Sequence, residues 1–249
     1  MDVAPCLLAS HQPRLPEPPS TCMALDKVRA VLLWSGGKDS ALALGTVLQK
    51  PDMEIAALVT TLTPDHQVSA HGVPAALIEE QARSLGLPLQ AVVLPTSPSN
   101  QEYEARVITA LAGLREEGVT TVVAGDLFLE DVRAYREKLI QEAGLSSAFP
   151  LWGSDTARLA RTFVAEGFRA VVCAVDTHAL SVEHAGRLYE TALLDSLHPG
   201  VDPCGENGEF HTFVFDGPMF SYPVGYAHGR QSQPQGRFHV HALLPAPSR

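Results

Sequence analysis

The sequence predicts an α/β fold, a doubly wound parallel sheet with a smaller C-terminal α+β lobe. Short, continuously apolar segments recur along the chain, as expected for strands that are buried on both faces of a parallel sheet. Segments with apolar residues at helical spacing separate them, and glycine or proline stands at most of the boundaries. Strands and helices that alternate in this way are typical of βαβ units.

The first strand and helix are predicted within residues 28–48. An apolar run from Ala30 to Trp34 ends at Ser35-Gly36-Gly37, and apolar residues then recur at helical spacing as far as Leu48. The pattern predicts a strand, a glycine turn and a helix.

The next elements continue this alternation. Gly86 and Gly118 follow two amphipathic segments, as expected where helices end. The predicted strands are 54–62, 89–94 and 119–124, and the predicted helices are 73–85 and 100–117.

The C-terminal part is expected to form a separate lobe. A loop at 149–153 precedes a helix that begins at Ser154 or Asp155, and an apolar strand follows at 168–175. We expect the last strand, 237–244, to pair antiparallel with a strand at 210–215. The predicted parts are a flexible N-terminal tail at 1–25, a main domain at 26–145 and a smaller lobe at 146–249.

Composition disfavours several classes of protein. The chain has 249 residues and a formal net charge of −10, which argues against nucleic acid as the main partner because such binding uses Lys and Arg to neutralise phosphates. No apolar run reaches the roughly 18 residues of a membrane span, and the N-terminus lacks a signal-peptide pattern. The four cysteines form no Cys-x-x-Cys pair, which fits a reducing compartment. We therefore expect a cytoplasmic protein that does not bind membranes.

The glycine turn has the residue types that bind a polyphosphate. Gly36 and Gly37 let backbone N–H groups approach an anion, and the helix that follows directs its positive end to the same place. Lys38 adds a positive charge, and Ser35 and Ser40 add hydroxyl donors. These two serines and the four residues between them form the motif Ser35-Gly36-Gly37-Lys38-Asp39-Ser40. The carboxylate of Asp39 suits Mg²⁺, which bridges carboxylates and phosphates. The alternative is that Asp39 or Ser40 only caps the helix.

Other candidate site residues follow later strands. Ligands of parallel sheets bind beyond the carboxyl ends of the strands, which draws attention to the loop with His66 and His71 and to Gly125-Asp126. A glycine-framed loop further on presents Glu206 and Glu209, an arrangement typical of a binding loop.

A charged helix is predicted after Leu127. Arg133 and Arg136 are three residues apart and so share one face of it. The alternative is a solvated face with ion pairs, Asp131 with Arg136 or Glu137 with Arg133.

The motif at 35–40 lacks the spacing of a Walker A loop. Its residues, Ser-Gly-Gly-Lys-Asp-Ser, resemble instead the PP-loop of the N-type ATP pyrophosphatases. The resemblance implies an adenine nucleotide alpha hydrolase-like fold, ATP as cofactor, and release of AMP and pyrophosphate. Further stretches are similar to one branch of that superfamily, the diphthine–ammonia ligase family: Gly125-Asp126, Leu151-Trp152 and the block from Gly205 to Thr212.

Membership of that family implies an ATP-dependent ligase. Its members activate the carboxylate of diphthine on elongation factor 2 as an acyl-adenylate, which ammonia then opens. We expect the compact prokaryotic form, because extra C-terminal domains are missing and His211 stands where larger members have an acid. In a bacterial source we expect another carboxylate as acceptor. Free ammonia or a separate donor is the expected nitrogen source, and a homodimer is a candidate assembly.

The resemblance also implies roles for individual residues. The nucleotide-binding set is Ser35, Gly36, Gly37, Lys38, Asp39, Ser40 and Gly125, with Asp39 as the metal ligand. The catalytic set is Lys38, Asp39, Asp126, Glu206 and Glu209, and the substrate-binding set is Arg133, Arg136, Gly205, Glu206, Gly208, Glu209 and His211.

Three alternative functions or sites stay open from the sequence. A tRNA-thiolating enzyme with the same loop would need a reactive cysteine; Cys204 is the candidate, because Cys173 lies within an apolar strand. A nucleotide-binding sensor without catalysis is the second. The third is a metal site formed by His211, His239 and His241.

Overall fold

A parallel sheet of five strands forms the centre of the first part of the chain. A computed structural model describes residues 27–69, 72–229 and 236–246. The strands are β1 (Val28–Leu33), β2 (Met53–Leu62), β3 (Leu89–Val93), β4 (Thr121–Val123) and β5 (Ser146–Ala148), in the order β3-β2-β1-β4-β5. Every pair in it is parallel, so the predicted fold class is confirmed. The order reverses between β1 and β4, which is where ligands of such sheets bind.

Helices cover both faces of this sheet. They are α1 (Lys38–Leu48), α2 (Ala75–Leu85), α3 (Asn100–Glu116) and α4 (Glu130–Glu142). Side chains of α3 and α4 form one apolar core against the sheet. Those of α1 and α2 form a second, larger core that continues into the C-terminal part, where Phe163 and Phe213 are fully buried.

The C-terminal part is mainly antiparallel, as expected for an α+β lobe. It contains α5 (Thr156–Ala165), β6 (Arg169–Asp176), α6 (Thr191–Leu194), β7 (Phe210–Asp216), β8 (Tyr226–His228), β9 (Phe238–Val240) and β10 (Leu243–Pro245). One sheet has the order β7-β6-β9, and β8 pairs with β10. The predicted boundary at 145/146 falls just before β5, which belongs to the first sheet.

The predicted pairing of the last strand is wrong. Residues 237–244 contain β9 and the start of β10; β9 pairs with β6 and β10 with β8, and neither pairs with β7. The reason is that the outer edge of β7 faces the glycine turn of the first part, where the N–H of Val214 donates to the carbonyl of Gly36 at 2.9 Å. The last strand therefore joins the free edge of β6.

Two further expectations concern residues that the structure does not describe. The tail at 1–25 and His71 lie outside the described residues. Among the residues that are described, no helix is long and apolar enough to cross a membrane.

Candidate active site

A cavity of about 500 Å³ opens at the carboxyl ends of β1, β2 and β4. Its volume lies in the range of small-molecule sites. Of the predicted site residues, twelve line it: Ser35, Gly37, Lys38, Asp39, Ser40, Gly125, Asp126, Arg136, Gly205, Glu206, Gly208 and His211. Gly36, Arg133 and Glu209 do not.

The loop of residues 35–40 is held by partners far away in the sequence. Gly36 has a φ of 78°, and its carbonyl accepts hydrogen bonds from the N–H of Val214 at 2.9 Å and from Nε2 of Gln81 at 3.0 Å. The N–H of Lys38 donates to Oγ1 of Thr212 at 3.1 Å. This loop, called the 35–40 loop below, therefore rests on β7.

The first turn of α1 is not capped from within its own sequence. Gly37 is the N-cap residue of α1, and the helix start has no capping hydrogen bond from an N-cap side chain. Ser40 Oγ instead donates to the carbonyl of Gly37 at 2.9 Å. The alternative in which Asp39 or Ser40 serves only as a helix cap is therefore wrong.

Lys38 and Asp39 form an ion pair on the cavity wall. Nζ of Lys38 lies 2.8 Å from Oδ2 and 3.0 Å from Oδ1 of Asp39. Burial by itself lowers the pKa of Lys38, but Asp39 together with Cys204 and Glu206 outweighs burial, so the pKa is raised and the ammonium stays charged. Burial raises the pKa of Asp39, and Lys38 offsets this only in part.

Residues after β4 form the next wall. A Cβ atom on Gly125 would lie 2.8 Å from the carbonyl oxygen of Asp39, so only glycine allows this contact. Oδ1 of Asp126 accepts from Nε of Arg136 at 2.9 Å. Oδ2 of Asp126 is buried and has no hydrogen-bond partner among the described residues.

The two arginines of α4 have different surroundings, although they share a face of the helix. Arg136 lines the cavity and forms an ion pair with Asp126. The alternative interpretation had paired it with Asp131. Arg133 pairs with Glu137 at 2.8 Å, as the alternative interpretation predicted. Its guanidinium lies 4.6 Å from the ring centroid of Trp152 and 4.9 Å from that of Phe149, outside the cavity.

Residues 202–209, the 202–209 loop, contribute Gly205, Glu206 and Gly208 to the cavity wall. Oε1 of Glu206 accepts from the N–H of Leu127 at 2.9 Å, and burial raises the pKa of this carboxyl to about 7. Glu209 turns away: its Oε1 accepts from the N–H of Asp202 and from Nδ2 of Asn207, both at 3.0 Å. Glu209 is 5% exposed and maintains the shape of the loop.

The histidines do not form a metal site. His211 lines the cavity, and burial lowers its pKa to about 4, which makes it neutral at physiological pH. Nε2 of His241 lies 2.7 Å from Nδ1 of His228. In the described part of the chain, no group of three or more His, Cys, Asp or Glu side chains is arranged to hold a metal ion.

The two described cysteines are not activated. Cys173 and Cys204 are each 1% exposed, and burial raises the pKa of both thiols to about 12. A persulfide-forming cysteine needs an accessible thiolate, so the structure gives no support to thiolation chemistry. Cys6 and Cys22 lie outside the described residues.

Sequence reasoning missed Gln81 and Thr212, which support the 35–40 loop. Gln81 stands on the apolar face of α2, next to Ile78 and Ala82 in space, and is fully buried. A polar residue in an apolar helical stripe is the signal that could have identified it. Thr212 gives no comparable signal, because threonine is common in strands.

Comparisons with known proteins identify relatives along most of the chain. A family model described as the diphthamide synthase N-terminal domain matches residues 28–147, and one described as the diphthamide synthase C-terminal domain matches residues 155–238. Among curated relatives, "Diphthine--ammonia ligase" of Danio rerio is 27% identical over 221 residues, covering 79% of this chain and 86% of that protein. The protein with the same description from Rattus norvegicus is 26% identical over 220 residues, covering 79% and 82%.

The two family models follow each other in the order of the two structural parts and together span most of the described residues. The first contains the 35–40 loop, and the second contains the 202–209 loop. The chain therefore belongs to the diphthamide synthase family.

Proposed function

We propose that this protein is an ATP-dependent ligase that joins ammonia to a carboxylate and releases AMP and pyrophosphate. Membership of the family supports an ATP-dependent ligase. The observation that carries the finer proposal is the 35–40 loop, which presents Lys38, Asp39 and two serines to a cavity at the switch point of the sheet.

The polyphosphate of ATP would lie against the 35–40 loop. Ser35 Oγ and Ser40 Oγ are 3.3 Å apart and line the cavity beside the N–H of Gly37. The start of α1 adds its positive dipole end, and Lys38 adds a full charge. The rest of the wall has apolar side chains, including Leu33, Val59 and Leu139, which suits a nucleobase.

Asp39 is the residue that we propose for Mg²⁺. Its carboxylate lines the cavity, and Oδ2 of the neighbouring Asp126 is a buried oxygen without a hydrogen-bond partner. Mg²⁺ uses one or two carboxylates together with substrate phosphates, so a cage made of protein groups alone is not required. When bound, the ion would neutralise charge on the pyrophosphate.

The residues of this chain would then act in two steps. In the first, the acceptor carboxylate attacks the α-phosphorus and pyrophosphate leaves, while Lys38 stabilises the charge that develops on it. In the second, ammonia opens the acyl-adenylate and AMP leaves. Glu206 would take the proton from ammonium, since its pKa of about 7 is suited to a general base near neutral pH.

The acceptor is the least constrained part of the proposal. Arg136 and His211 line the cavity and would contact the acceptor. Diphthine on elongation factor 2 is the acceptor to test first, since the curated relatives are described as diphthine–ammonia ligases. An enzyme that acts on a translation factor would work in the cytoplasm; a homodimer stays a prediction.

Exchange of radiolabelled pyrophosphate into ATP tests the adenylylation step directly. With Mg²⁺ and the acceptor, the wild type should catalyse exchange. The exchange rate of Asp39→Ala should be at least about 100-fold lower. Ammonium should divert the adenylate to amide and AMP. Formation of ADP in place of AMP would refute the proposal.

A further inference from the structure

Gln81 joins three parts of the molecule through one buried amide. Its Nε2 donates to the carbonyl of Gly36 at 3.0 Å and to that of Val214 at 2.6 Å. Its Oε1 accepts from Nε1 of Trp34 at 2.8 Å. The side chain is 0% exposed, so these bonds form without competition from water.

These bonds decide which way one peptide of the 35–40 loop points. The carbonyl of Gly36 is directed to Gln81 and to the N–H of Val214. In a planar trans peptide, the carbonyl and the following N–H point in opposite directions. The N–H of Gly37 is therefore turned away from β7, and it donates to Oγ of Ser35 at 3.2 Å on the cavity wall.

Steric repulsion within the loop does not fix the orientation of the Gly36–Gly37 peptide. Gly36 has a φ of 78°, and glycine enters this region and its mirror region with similar ease. A rotation of the Gly36–Gly37 peptide is thus open to the chain unless other groups prevent it. Gln81 is the side chain in contact with that carbonyl.

A second buried polar residue of α2 provides a comparison. Ser84 is also 0% exposed, and it accepts from the N–H of Tyr222 at 3.1 Å and donates to the carbonyl of Tyr222. It therefore ties α2 to the C-terminal part as Gln81 does, but it has no bond to the 35–40 loop. Loss of the Ser84 hydroxyl should therefore weaken the packing of α2 against the C-terminal part and leave the 35–40 loop unchanged.

We propose that Gln81 is a positioning residue of the ATP site, which ties the Gly36–Gly37 peptide to β7 and so keeps the N–H of Gly37 directed at the phosphates. This inference rests on the proposed function, because it assumes that the phosphates of ATP lie at the 35–40 loop. It predicts that the affinity for ATP depends on a residue that does not touch the nucleotide.

Calorimetric titration with Mg²⁺–ATP tests the inference with Gln81→Met and with Ser84→Ala as the matched control. Gln81→Met, which keeps the length of the side chain, should weaken ATP binding at least about tenfold. It should raise the KM for ATP in pyrophosphate exchange more than it changes kcat. Ser84→Ala should lower the melting temperature and leave the Kd for ATP within about twofold of the wild type.

Hydrogen exchange of the wild type gives an answer even where Gln81→Met does not fold. ATP should slow exchange of the Val214 amide about tenfold, whereas the Tyr222 amide, bonded to Ser84, should not change. Unaltered affinity in Gln81→Met, an equal loss in Ser84→Ala, or unchanged exchange at Val214 would overturn the inference. A wild type that does not bind ATP would instead refute the proposed function itself.

Discussion

The two glycine loops that line the cavity differ in what holds their turns in place. The 35–40 loop depends on distant residues, with bonds from Gln81 and Val214 and to Thr212. The 202–209 loop is closed by its own acids: Oδ2 of Asp202 accepts from the N–H of Glu206 at 2.9 Å, and Glu209 accepts from the N–H of Asp202 at 3.0 Å. Both loops have local and distant contacts, such as the bond from Tyr189 to the carbonyl of Pro203 in the second loop. The turn of the second loop is nevertheless closed by its own acids, whereas the carbonyl of Gly36 in the first loop depends on distant partners.

This difference separates structural from chemical acids. Asp202 and Glu209 use their oxygens to fold the 202–209 loop, whereas Glu206 lines the cavity. Two acids of a candidate binding loop are therefore needed for its shape, and one is available for chemistry. The following predictions test that contrast, beginning with the largest expected effect.

Replacement of Glu206 should remove activity, whereas replacement of Glu209 should remove stability. Glu206→Gln can still accept from Leu127 but cannot take a proton, so amide formation should fall at least about 100-fold while pyrophosphate exchange persists. Glu209→Ala should lower the free energy of unfolding by about 1–3 kcal/mol, because the N–H of Asp202 and Nδ2 of Asn207 lose the oxygen that accepts from them.

Amide formation and denaturant unfolding, measured on both variants, decide between the roles. Equal losses of activity in the two variants would mean that Glu206 and Glu209 do not differ as a chemical and a structural residue.

The pH dependence of stability should also identify Glu206. Its pKa in the folded protein is about 7, above the ordinary value of 4.5, so the folded state holds a proton that the unfolded chain releases. Between these two values, this carboxyl makes the folded state less stable as the pH rises. Glu206→Gln does not titrate, so its stability relative to the wild type should increase from about pH 4.5 to about pH 7.

Unfolding of both proteins by urea at a series of pH values measures this difference. The difference between the two proteins is needed because His211, whose pKa is lowered to about 4, contributes with the opposite sign in an overlapping range. A difference that stays constant with pH would show that Glu206 has an ordinary pKa.

The smallest effect is expected on replacement of Cys204, the cysteine of the 202–209 loop. Its thiol is buried and lies 3.4 Å from the carbonyl of Thr156, so Cys204→Ser should keep the activity within about twofold. Cys173 and Cys204 should also react slowly with thiol reagents in the native protein. Loss of activity in this variant, with the fold intact by circular dichroism, would favour the thiolation chemistry of related enzymes.

The parts of the site that follow from local sequence were predictable, and those that need distant contacts were not. Gly36, Gly37 and Lys38 combine a strand end, a turn and a helix start within a few residues, so the motif indicated both the structure and its ligand. Glu206 and Glu209 are equivalent in the sequence, since an irregular loop has no periodicity from which to derive their directions.

The error in strand pairing has the same origin. Residues 210–215 looked like a free partner for the last strand, but the edge of β7 was already occupied by Gly36. A contact between residues so far apart leaves no local trace in the sequence.

The bond from the N–H of Lys38 to Thr212 also sets an order of events during biosynthesis. The two residues are 174 positions apart, so the ribosome makes the 35–40 loop long before it makes the strand that completes it. A nascent chain that already contains the entire parallel sheet still lacks this contact. The 35–40 loop is therefore translated early and is among the last features to mature.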